Sequence, residues 1–279
     1  VVLRVEDLDG PRVKRGAAEQ AIETLRWLGI DWDDGPHRQV NDLTPYRQAL
    51  ASLAAGGHVY PCRCTRSQLL AAELSAPNAG DHELRYPGVC RPGDAVRFQF
   101  DQPEHRDAAW RVRTPDEAVR FVDRFSGEQV FNPQEDVGDF VVATKAGTPS
   151  YQLAVVVDDA RQGVTDVVRG DDLLPSTPRQ MLLYRLLGLG TPPRYTHLPI
   201  VVGSDGRRLA KRHGDTRVDT YRQRGIPAER LIGLIAEWCG FGPRRPMHRD
   251  EFAAGLELSR MPRSAITFTN ADDDWLRKA

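Results

Sequence analysis

The sequence lacks the features that mark several classes of protein. Four cysteines in 279 residues are too few for a disulfide framework. No apolar run is long enough to span a membrane, and no basic-then-apolar signal segment opens the sequence, so we expect a cytoplasmic protein without a membrane partner. Neither sign of charge is in excess, since 38 Lys and Arg stand against 39 Asp and Glu. Any nucleic-acid surface therefore has to be a local patch.

Apolar residues make up 40% of the chain, which allows a sizeable core in one large domain with an insertion, or in two domains. Residues 1–5 predict a buried parallel strand, and Glu6 follows at its carboxyl end, where open α/β sheets bind ligands. Apolar residues at helical spacing predict helices at 16–28, 44–55, 67–74, 178–187 (with Thr177 as its N-cap), 227–239 and 249–261. Alternating patterns predict strands at 96–100 and 110–113, hairpins at 121–131 and 140–153, and a further strand at 198–202.

The cysteine spacing indicates a metal site. Cys62 and Cys64 flank one residue, Cys90 lies downstream, and three thiolates need a fourth ligand to close a structural tetrahedral zinc site. His82 and Tyr86 are the two candidates. A neutral imidazole binds without losing a proton, whereas a phenol has to lose one with a pKa of about 10. The alternative is that these three are simply buried or reactive cysteines. Cys239 lies in a predicted apolar helix, and we expect it to pack in the core.

The predicted elements indicate a doubly wound, Rossmann-type α/β domain, because parallel strands with helical crossovers are interrupted by an antiparallel insertion. We expect four segments. They are the first part of the catalytic domain at 1–60, an insertion with the zinc module and antiparallel strands at 61–150, the second part at 151–215, and a helical C-terminal segment at 216–279.

A basic segment at residues 207–215 follows the strand predicted at 198–202. Cationic side chains in a loop with glycines suit a triphosphate, because they can close on the charge that develops as a phosphate chain is cleaved. By composition alone the segment fits a solvated basic loop better than a phosphate site.

Four segments, in this order along the chain, carry a resemblance to a known family: 3–12, 151–159, 168–174 and 207–215. Together they resemble the glutamyl class I aminoacyl-tRNA synthetases, with the basic segment in the place of their KMSKS-type signature. The resemblance implies that Glu6 holds the α-ammonium of glutamate and that Tyr151 and Arg169 bind its oxygen atoms. It also implies that Lys211 is catalytic and binds ATP together with Arg212 and His213.

A finer resemblance rests on Tyr86 and Cys90. They are similar to the Tyr-x3-Cys half of the zinc motif in glutamyl-Q tRNA(Asp) synthetases, the truncated paralogues of glutamyl-tRNA synthetase, which implies Tyr86 as the fourth zinc ligand. The 64 residues after position 215 are too few for further tRNA-binding domains. The implied activity is ATP- and Mg²⁺-dependent activation of L-glutamate and its transfer to the queuosine base at the wobble position of tRNA(Asp), by a monomer.

The chain departs from the family pattern in two places. Arg208 and Ala210 stand in the basic segment where Lys and Ser are commoner, a mild change that keeps the cationic end. The family's HIGH signature would precede residue 1, so we expect the sequence to be a fragment of the complete enzyme. Two alternatives remain: a fragment of an ordinary glutamyl-tRNA synthetase, and a non-catalytic tRNA-binding paralogue.

Overall fold

A computed structural model of the protein describes residues 1–8, 10, 13–65, 67–69, 85–207, 209 and 216–278. These residues form two compact units. The first comprises Val1–His37, Gly170–Asp172 and His197–Ala279, and the second comprises Arg38–Arg169 and Leu173–Thr196. In the described part of the chain, none of the helices has the length and apolarity needed to cross a membrane.

The first unit is mainly helical. Its strands are β1 (Val2–Val5), most of β2 (Asp34–Arg38), β10 (Val201–Val202) and β11 (Ile266–Thr267). Its helices are α1 (Ala17–Trp27), α6 (Val218–Gln223), α7 (Ala228–Trp238), α8 (Arg249–Gly255) and α9 (Asn270–Arg277). Strand β1 pairs with β2, and β10 pairs in parallel with β11.

The core of the first unit lies between its C-terminal helices. Buried side chains of α6, α7 and α9 meet there, among them Tyr221, Leu234 and Leu276. Helix α9 begins at a capping box, in which Thr269 and Asp272 satisfy each other's backbone N–H groups. Such a cap stabilises a helix start by about 1 kcal/mol.

The second unit combines sheets and helices. Its strands are β3 (Val59–Cys62), β4 (Ala109–Val112), β5 (Val119–Asp123), β6 (Gly127–Phe131), β7 (Val141–Ala143), and most of β8 (Asp166–Gly170) and β9 (Arg194–Leu198). Its helices are α2 (Thr44–Ala55), α3 (Pro133–Asp136), α4 (Tyr151–Gln162) and α5 (Ser176–Leu187). Strands β3, β4 and β7 form an antiparallel sheet, β5 and β6 a hairpin, and β8 pairs with β9.

The core of this unit is built from α2, α4 and α5 and from the inner face of the three-stranded sheet. Leu50, Leu153 and Leu183, one from each helix, are fully buried. Trp110 of β4 is 2% exposed and makes an edge contact with Phe98 and with His105. This core holds the start of α4 and the end of β3, where the candidate site residues lie.

Several predicted elements are confirmed. Helices α1, α2 and α7 and the hairpin of β5 and β6 lie where the sequence predicts them, and α5 ends at Gly188 in the left-handed conformation. Others are shorter than predicted. The strand expected at 198–202 is divided between the end of β9 and β10, and the helix expected at 249–261 ends at Gly255. Of the helix expected at 67–74, residues 70–74 lie outside the described residues.

Two predicted strands are wrong. Residues 96–100 form no strand, because the Phe98 amide donates to the Ala54 carbonyl oxygen at 3.0 Å and its ring packs on Trp110. The hairpin expected at 140–153 begins correctly with β7 and turns at Gly147, but helix α4 begins at Tyr151. The reason is burial: residues 153–159 are all buried, which suits a helix enclosed by neighbours better than a strand with one solvated face.

Two further expectations are corrected. Strand β1 is less buried than predicted, with Val1 77% and Val2 37% exposed, because its partner among the described strands is the short, polar β2. Thr177 is not the N-cap of α5, since the helix starts at Ser176 after Pro175. Helices and strands are both present along the chain, so the protein has the α/β character predicted. The strands of the described part form sheets of two or three strands. The doubly wound sheet and the four-segment division therefore remain predictions.

Candidate active site and metal centre

Arg169 lies near the end of β8 and is held by two neutral side chains of α5. Its Nη1 atom donates to Gln180 Oε1 at 3.0 Å, and its Nη2 atom donates to Thr177 Oγ1 at 2.8 Å. The guanidinium also lies 5.4 Å from the ring centroid of Tyr195. These contacts fix the orientation of the guanidinium.

The contacts of Arg169 extend into a wider polar network, which we call the Arg169 network. Gln180 Nε2 donates to Gln152 Oε1 at 3.0 Å, and Gln152 Nε2 donates to Ser176 Oγ at 3.0 Å. Arg179 Nη2 donates to the same Ser176 hydroxyl at 3.2 Å. The network therefore ties the start of α4 to the start of α5 and to β8.

Tyr151 is the first residue of α4, next to Gln152 of the network, and its side chain is 42% exposed. The structure thus brings the segments of Tyr151 and Arg169 together within the second unit. The ring beside Arg169 is that of the buried Tyr195. Burial raises the pKa of Tyr195, while the positive charge of Arg169 opposes that rise. Neutral phenols and a fixed cation together provide donors for a carboxylate.

Sequence reasoning missed most of the Arg169 network. Gln152, Ser176 and Gln180 meet across 24 to 28 positions of sequence, and amides and hydroxyls carry no spacing signal of their own. The signal that existed was the adjacency of Gln152 to Tyr151. Thr177 was singled out, but as a helix cap, whereas its hydroxyl accepts from Arg169.

A second buried polar centre lies further along α4, at Asp158. Its carboxylate accepts from Tyr46 Oη at 2.8 Å and from Gln39 Nε2 at 2.8 Å, and the residue is 4% exposed. A buried carboxylate needs hydrogen-bond donors to offset the water that it loses on burial. Asp158 therefore anchors α4, and with it Tyr151, to α2.

Glu6 belongs to the first unit. It follows β1, and its side chain is 40% exposed. The distance between Glu6 Oε1 and Arg4 Nε is 3.3 Å. Its predicted role beside Tyr151 and Arg169 therefore stays a prediction.

The ATP-binding candidates Lys211, Arg212 and His213 lie outside the described residues. The chain approaching them is described: the Gly203 amide donates to the Arg207 carbonyl oxygen at 2.8 Å, and Gly206 has a φ of 71°. A tight glycine turn thus follows β10 and leads towards the basic segment.

The cysteine cluster, which consists of Cys62, Cys64, Cys90 and Tyr86, lies at the end of β3. The three sulfur atoms lie within 4.8 Å of one another, and Cys64 Sγ is 3.4 Å from Cys90 Sγ. The Tyr86 hydroxyl is 3.4 Å from Cys62 Sγ and accepts from the Cys90 amide at 2.8 Å. Sulfur ligands of one tetrahedral zinc lie about 3.8 Å apart, from a Zn–S bond of about 2.3 Å, so the cluster has the dimensions of a metal site.

The position of Tyr86 is set by its surroundings. The Arg111 guanidinium lies 3.8 Å from the centroid of the Tyr86 ring, and Arg111 Nη1 donates to the Asp139 carbonyl oxygen at 2.6 Å. The Tyr86 amide donates to the Val137 carbonyl oxygen at 3.0 Å. At Gly138, whose φ is 73°, a Cβ would come within 2.6 Å of the Tyr86 carbonyl oxygen. Only glycine fits there.

His82, the other candidate ligand, lies outside the described residues.

The thiols of the cluster differ in acidity. Burial and the hydrogen bond with Cys90 raise the pKa of Cys64 to about 11. At Cys90 burial also raises the pKa, but hydrogen bonds from the Arg63 amide and from Cys64 outweigh it and lower the pKa to about 7. Burial raises the pKa of the Tyr86 hydroxyl. One thiolate is thus available near neutral pH, and metal binding would release the remaining protons.

Cys239 lies apart from the cluster. It is 4% exposed, at the end of α7, and burial raises the pKa of its thiol. The prediction that it belongs to the core is confirmed.

Comparison with known proteins places these features in context. Residues 1–270 match the family described as tRNA synthetases class I (E and Q), catalytic domain. The chain is 45% identical over 257 residues to the glutamyl-Q tRNA(Asp) synthetase of Rhodopirellula baltica, covering 87% of this chain and 76% of that one. It is 43% identical over 275 residues to the glutamyl-Q tRNA(Asp) synthetase of Symbiobacterium thermophilum, covering 95% and 84%.

A solved structure shares the fold. The glutamate tRNA ligase of Elizabethkingia meningosepticum, solved in complex with its amino acid, aligns with a TM-score of 0.78 at 23% identity, over 99% of this chain and 61% of that one.

Proposed function

The chain belongs to the family of class I tRNA synthetases for glutamate and glutamine, and from that premise we propose that it is a ligase that activates L-glutamate with ATP and Mg²⁺. The substrate carboxylate attacks the α-phosphorus, glutamyl-adenylate forms and pyrophosphate leaves. No general base is required, because a carboxylate is already ionised. The protein contributes positioning and charge stabilisation.

The observation that carries this proposal is the fixed cation of Arg169. Its guanidinium is oriented by hydrogen bonds to the side chains of Thr177 and Gln180, and an oriented guanidinium binds a carboxylate through paired hydrogen bonds. In the proposed complex, Arg169 and Tyr151 bind glutamate oxygens and Glu6 binds the α-ammonium. The basic segment, with Lys211 catalytic and Arg212 and His213 beside it, binds the triphosphate.

For the acceptor we propose the queuosine base at the wobble position of tRNA(Asp). Support comes from the relatives that match most of the chain and are called glutamyl-Q tRNA(Asp) synthetases. A tRNA acceptor implies a cytoplasmic protein, and we propose that it acts as a monomer.

For the metal we propose one structural Zn²⁺ held by Cys62, Cys64, Cys90 and Tyr86. The donor set supports this choice, because thiolates at this spacing favour zinc over the hard cations Mg²⁺ and Ca²⁺. Four protein ligands leave no open position, so zinc would stabilise the fold of the insertion and take no part in the reaction. We also propose the doubly wound sheet for the complete catalytic domain, with the four segments at 1–60, 61–150, 151–215 and 216–279.

The test is glutamate-dependent pyrophosphate exchange by the full-length protein without tRNA, followed by transfer of labelled glutamate. We expect exchange without tRNA, and transfer to tRNA(Asp) that carries queuosine but not to the same tRNA without it. Exchange that requires tRNA(Glu), with transfer to that tRNA, would identify an ordinary glutamyl-tRNA synthetase instead. Binding of tRNA without exchange would identify a non-catalytic paralogue.

A further inference from the structure

Beside the cysteine cluster, the second unit has a cavity of about 420 Å³, which we call the arginine cavity. Its charged lining consists of Arg85, Arg91 and Arg113, and among the described residues no Asp or Glu lines it. Gly88 and Gly93 form part of the wall. Like charges in one cavity repel each other, so a cavity lined in this way favours an anion.

Among the described residues, Asp139 offsets the charge of Arg91. Asp139, which is 1% exposed, accepts from Arg91 Nη1 at 3.0 Å. Its carboxylate also accepts from the Thr114 amide at 2.9 Å and from Tyr60 Oη at 2.5 Å. Asp139 therefore balances one arginine, and its carboxylate already accepts three hydrogen bonds.

Arg113 has a different environment. Its Nη1 atom donates to the Pro92 carbonyl oxygen and its Nη2 atom to the Gly93 carbonyl oxygen, each at 2.6 Å. Within the described ranges, no carboxylate pairs with this guanidinium. Two neutral carbonyl groups thus hold a full positive charge at the cavity, and a guanidinium has further N–H donors for a ligand. Because the side chain is already oriented, little conformational entropy is lost when an anion binds.

The geometry and charge suit a phosphate. Arginines bind phosphate oxygens through paired hydrogen bonds, and the volume falls within the range of about 300–1,000 Å³ for ligand pockets. The chain as a whole is nearly neutral, with a formal charge of −1, so an RNA contact has to come from such a local group of cations.

We propose that the arginine cavity binds a backbone phosphate of an RNA strand, with Arg113 as the principal contact. The proposal rests on the proposed function, which supplies an RNA acceptor. It assigns to this part of the chain a positioning contact that is independent of base identity, since phosphate contacts fix register and orientation and do not read sequence.

The experiment measures tRNA(Asp) binding to the zinc-replete protein by fluorescence anisotropy over a range of salt concentrations. Arg113→Gln is compared with Arg120→Gln, a matched loss of charge at an exposed residue of β5 outside the cavity. We expect Arg113→Gln to weaken binding roughly tenfold at low salt and to reduce the slope of log affinity against log salt by about one. Arg120→Gln should match the unsubstituted protein.

Equal salt slopes for the two variants would overturn the proposal. A separate titration with inorganic phosphate tests the other source of the same chemistry. Arg113-dependent binding of phosphate, combined with an unchanged slope for tRNA, would assign the cavity to a free anion and also overturn the RNA proposal. Pyrophosphate exchange by the unsubstituted protein tests the proposed function separately, so failure of that function and failure of this site are distinguishable.

Discussion

The cysteine cluster and the Arg169 network are two polar assemblies of the same unit, built in opposite ways. The cluster brings together thiols and a phenol, and Cys64 Sγ and Cys90 Sγ lie 3.4 Å apart. The network combines amides, hydroxyls and guanidinium groups that are joined by hydrogen bonds of 2.8 to 3.2 Å. The cluster therefore has the donor set of a metal site, which the proposed zinc would close, whereas the network is joined by hydrogen bonds between its own side chains.

This difference has consequences for substitution. Removing one thiolate from a metal site removes most of the binding energy of the ion, because thiolates are its strongest donors in this set. Removing one acceptor from a shared hydrogen-bond network leaves the others in place, so its losses should be graded. Substitutions in the two regions test this contrast.

The largest effect should come from Cys90→Ser. We expect the zinc content, measured by elemental analysis, to fall from one per chain to near zero. The free energy of unfolding should fall with it, since structural zinc contributes about 10–16 kcal/mol of apparent binding energy in small zinc modules. The matched control is Cys239→Ser, which changes a buried thiol outside the cluster and should keep its zinc. Full zinc content in Cys90→Ser would mean that the cluster is not a metal site.

The next effect should come from Arg169→Ala. Loss of a charged partner in a desolvated site costs about 3–5 kcal/mol, so we expect a KM for glutamate raised by two to three orders of magnitude in pyrophosphate exchange, with normal zinc content and circular dichroism. Thr177→Val removes one acceptor and leaves Gln180, so it should cost only about 1 kcal/mol. Arg194→Ala, on the surface of the same unit, is the control. An equal rise in the KM for glutamate in Arg169→Ala and Thr177→Val would contradict the expectation that losses in the network are graded.

A smaller effect is expected from Tyr86→Phe, which keeps the ring beneath Arg111 and removes only the hydroxyl. Zinc affinity, measured by chelator competition, should weaken at least roughly tenfold, as for other changes in the coordination environment of a metal. His82→Ala should leave the affinity unchanged. The reverse pattern would make His82 the fourth ligand.

The smallest effect concerns pH in the metal-free protein. Below pH 9 the unfolded chain keeps a proton that the folded Cys90, with its pKa of about 7, has lost, so stability rises with pH from 7 to 9. Above pH 9 the folded Cys64, with its pKa of about 11, keeps a proton that the unfolded chain releases, so stability falls. Urea unfolding should therefore show a maximum near pH 9, which is lost in a Cys64→Ser, Cys90→Ser double variant. A profile that is identical in the double variant would show that folding does not shift the pKa of these two thiols.

The sequence and the structure agree best where chemistry restricts the residue type. Few residues other than Cys and His close a zinc site, so the spacing of Cys62, Cys64 and Cys90 already indicates the cluster that the structure assembles. Helices such as α7 were predictable for a similar reason: their apolar residues recur at helical spacing and form one buried face.

Prediction failed where long-range contacts decide. The apolar run in α4 is compatible with a strand or a helix, and enclosure by α2 and α5 selects the helix. The partners of Arg169 are common polar residues that become informative only after folding brings them together. Helix α9 was missed, although Thr269 and Asp272 have the spacing of a capping box. Its eight residues are too few to show a helical repeat of apolar positions.

The distribution of tryptophan offers a way to observe each unit separately. Four of the five tryptophans, at positions 27, 32, 238 and 275, belong to the first unit, and Trp110 alone belongs to the second. Trp110 sits in β4, the strand that pairs with the one ending at Cys62, and is enclosed by aromatic rings. The difference in intrinsic fluorescence between the protein and its Trp110→Phe variant is therefore an optical signal of the second unit. We expect this signal to change when the proposed zinc is removed, so that no added dye is needed to monitor the removal.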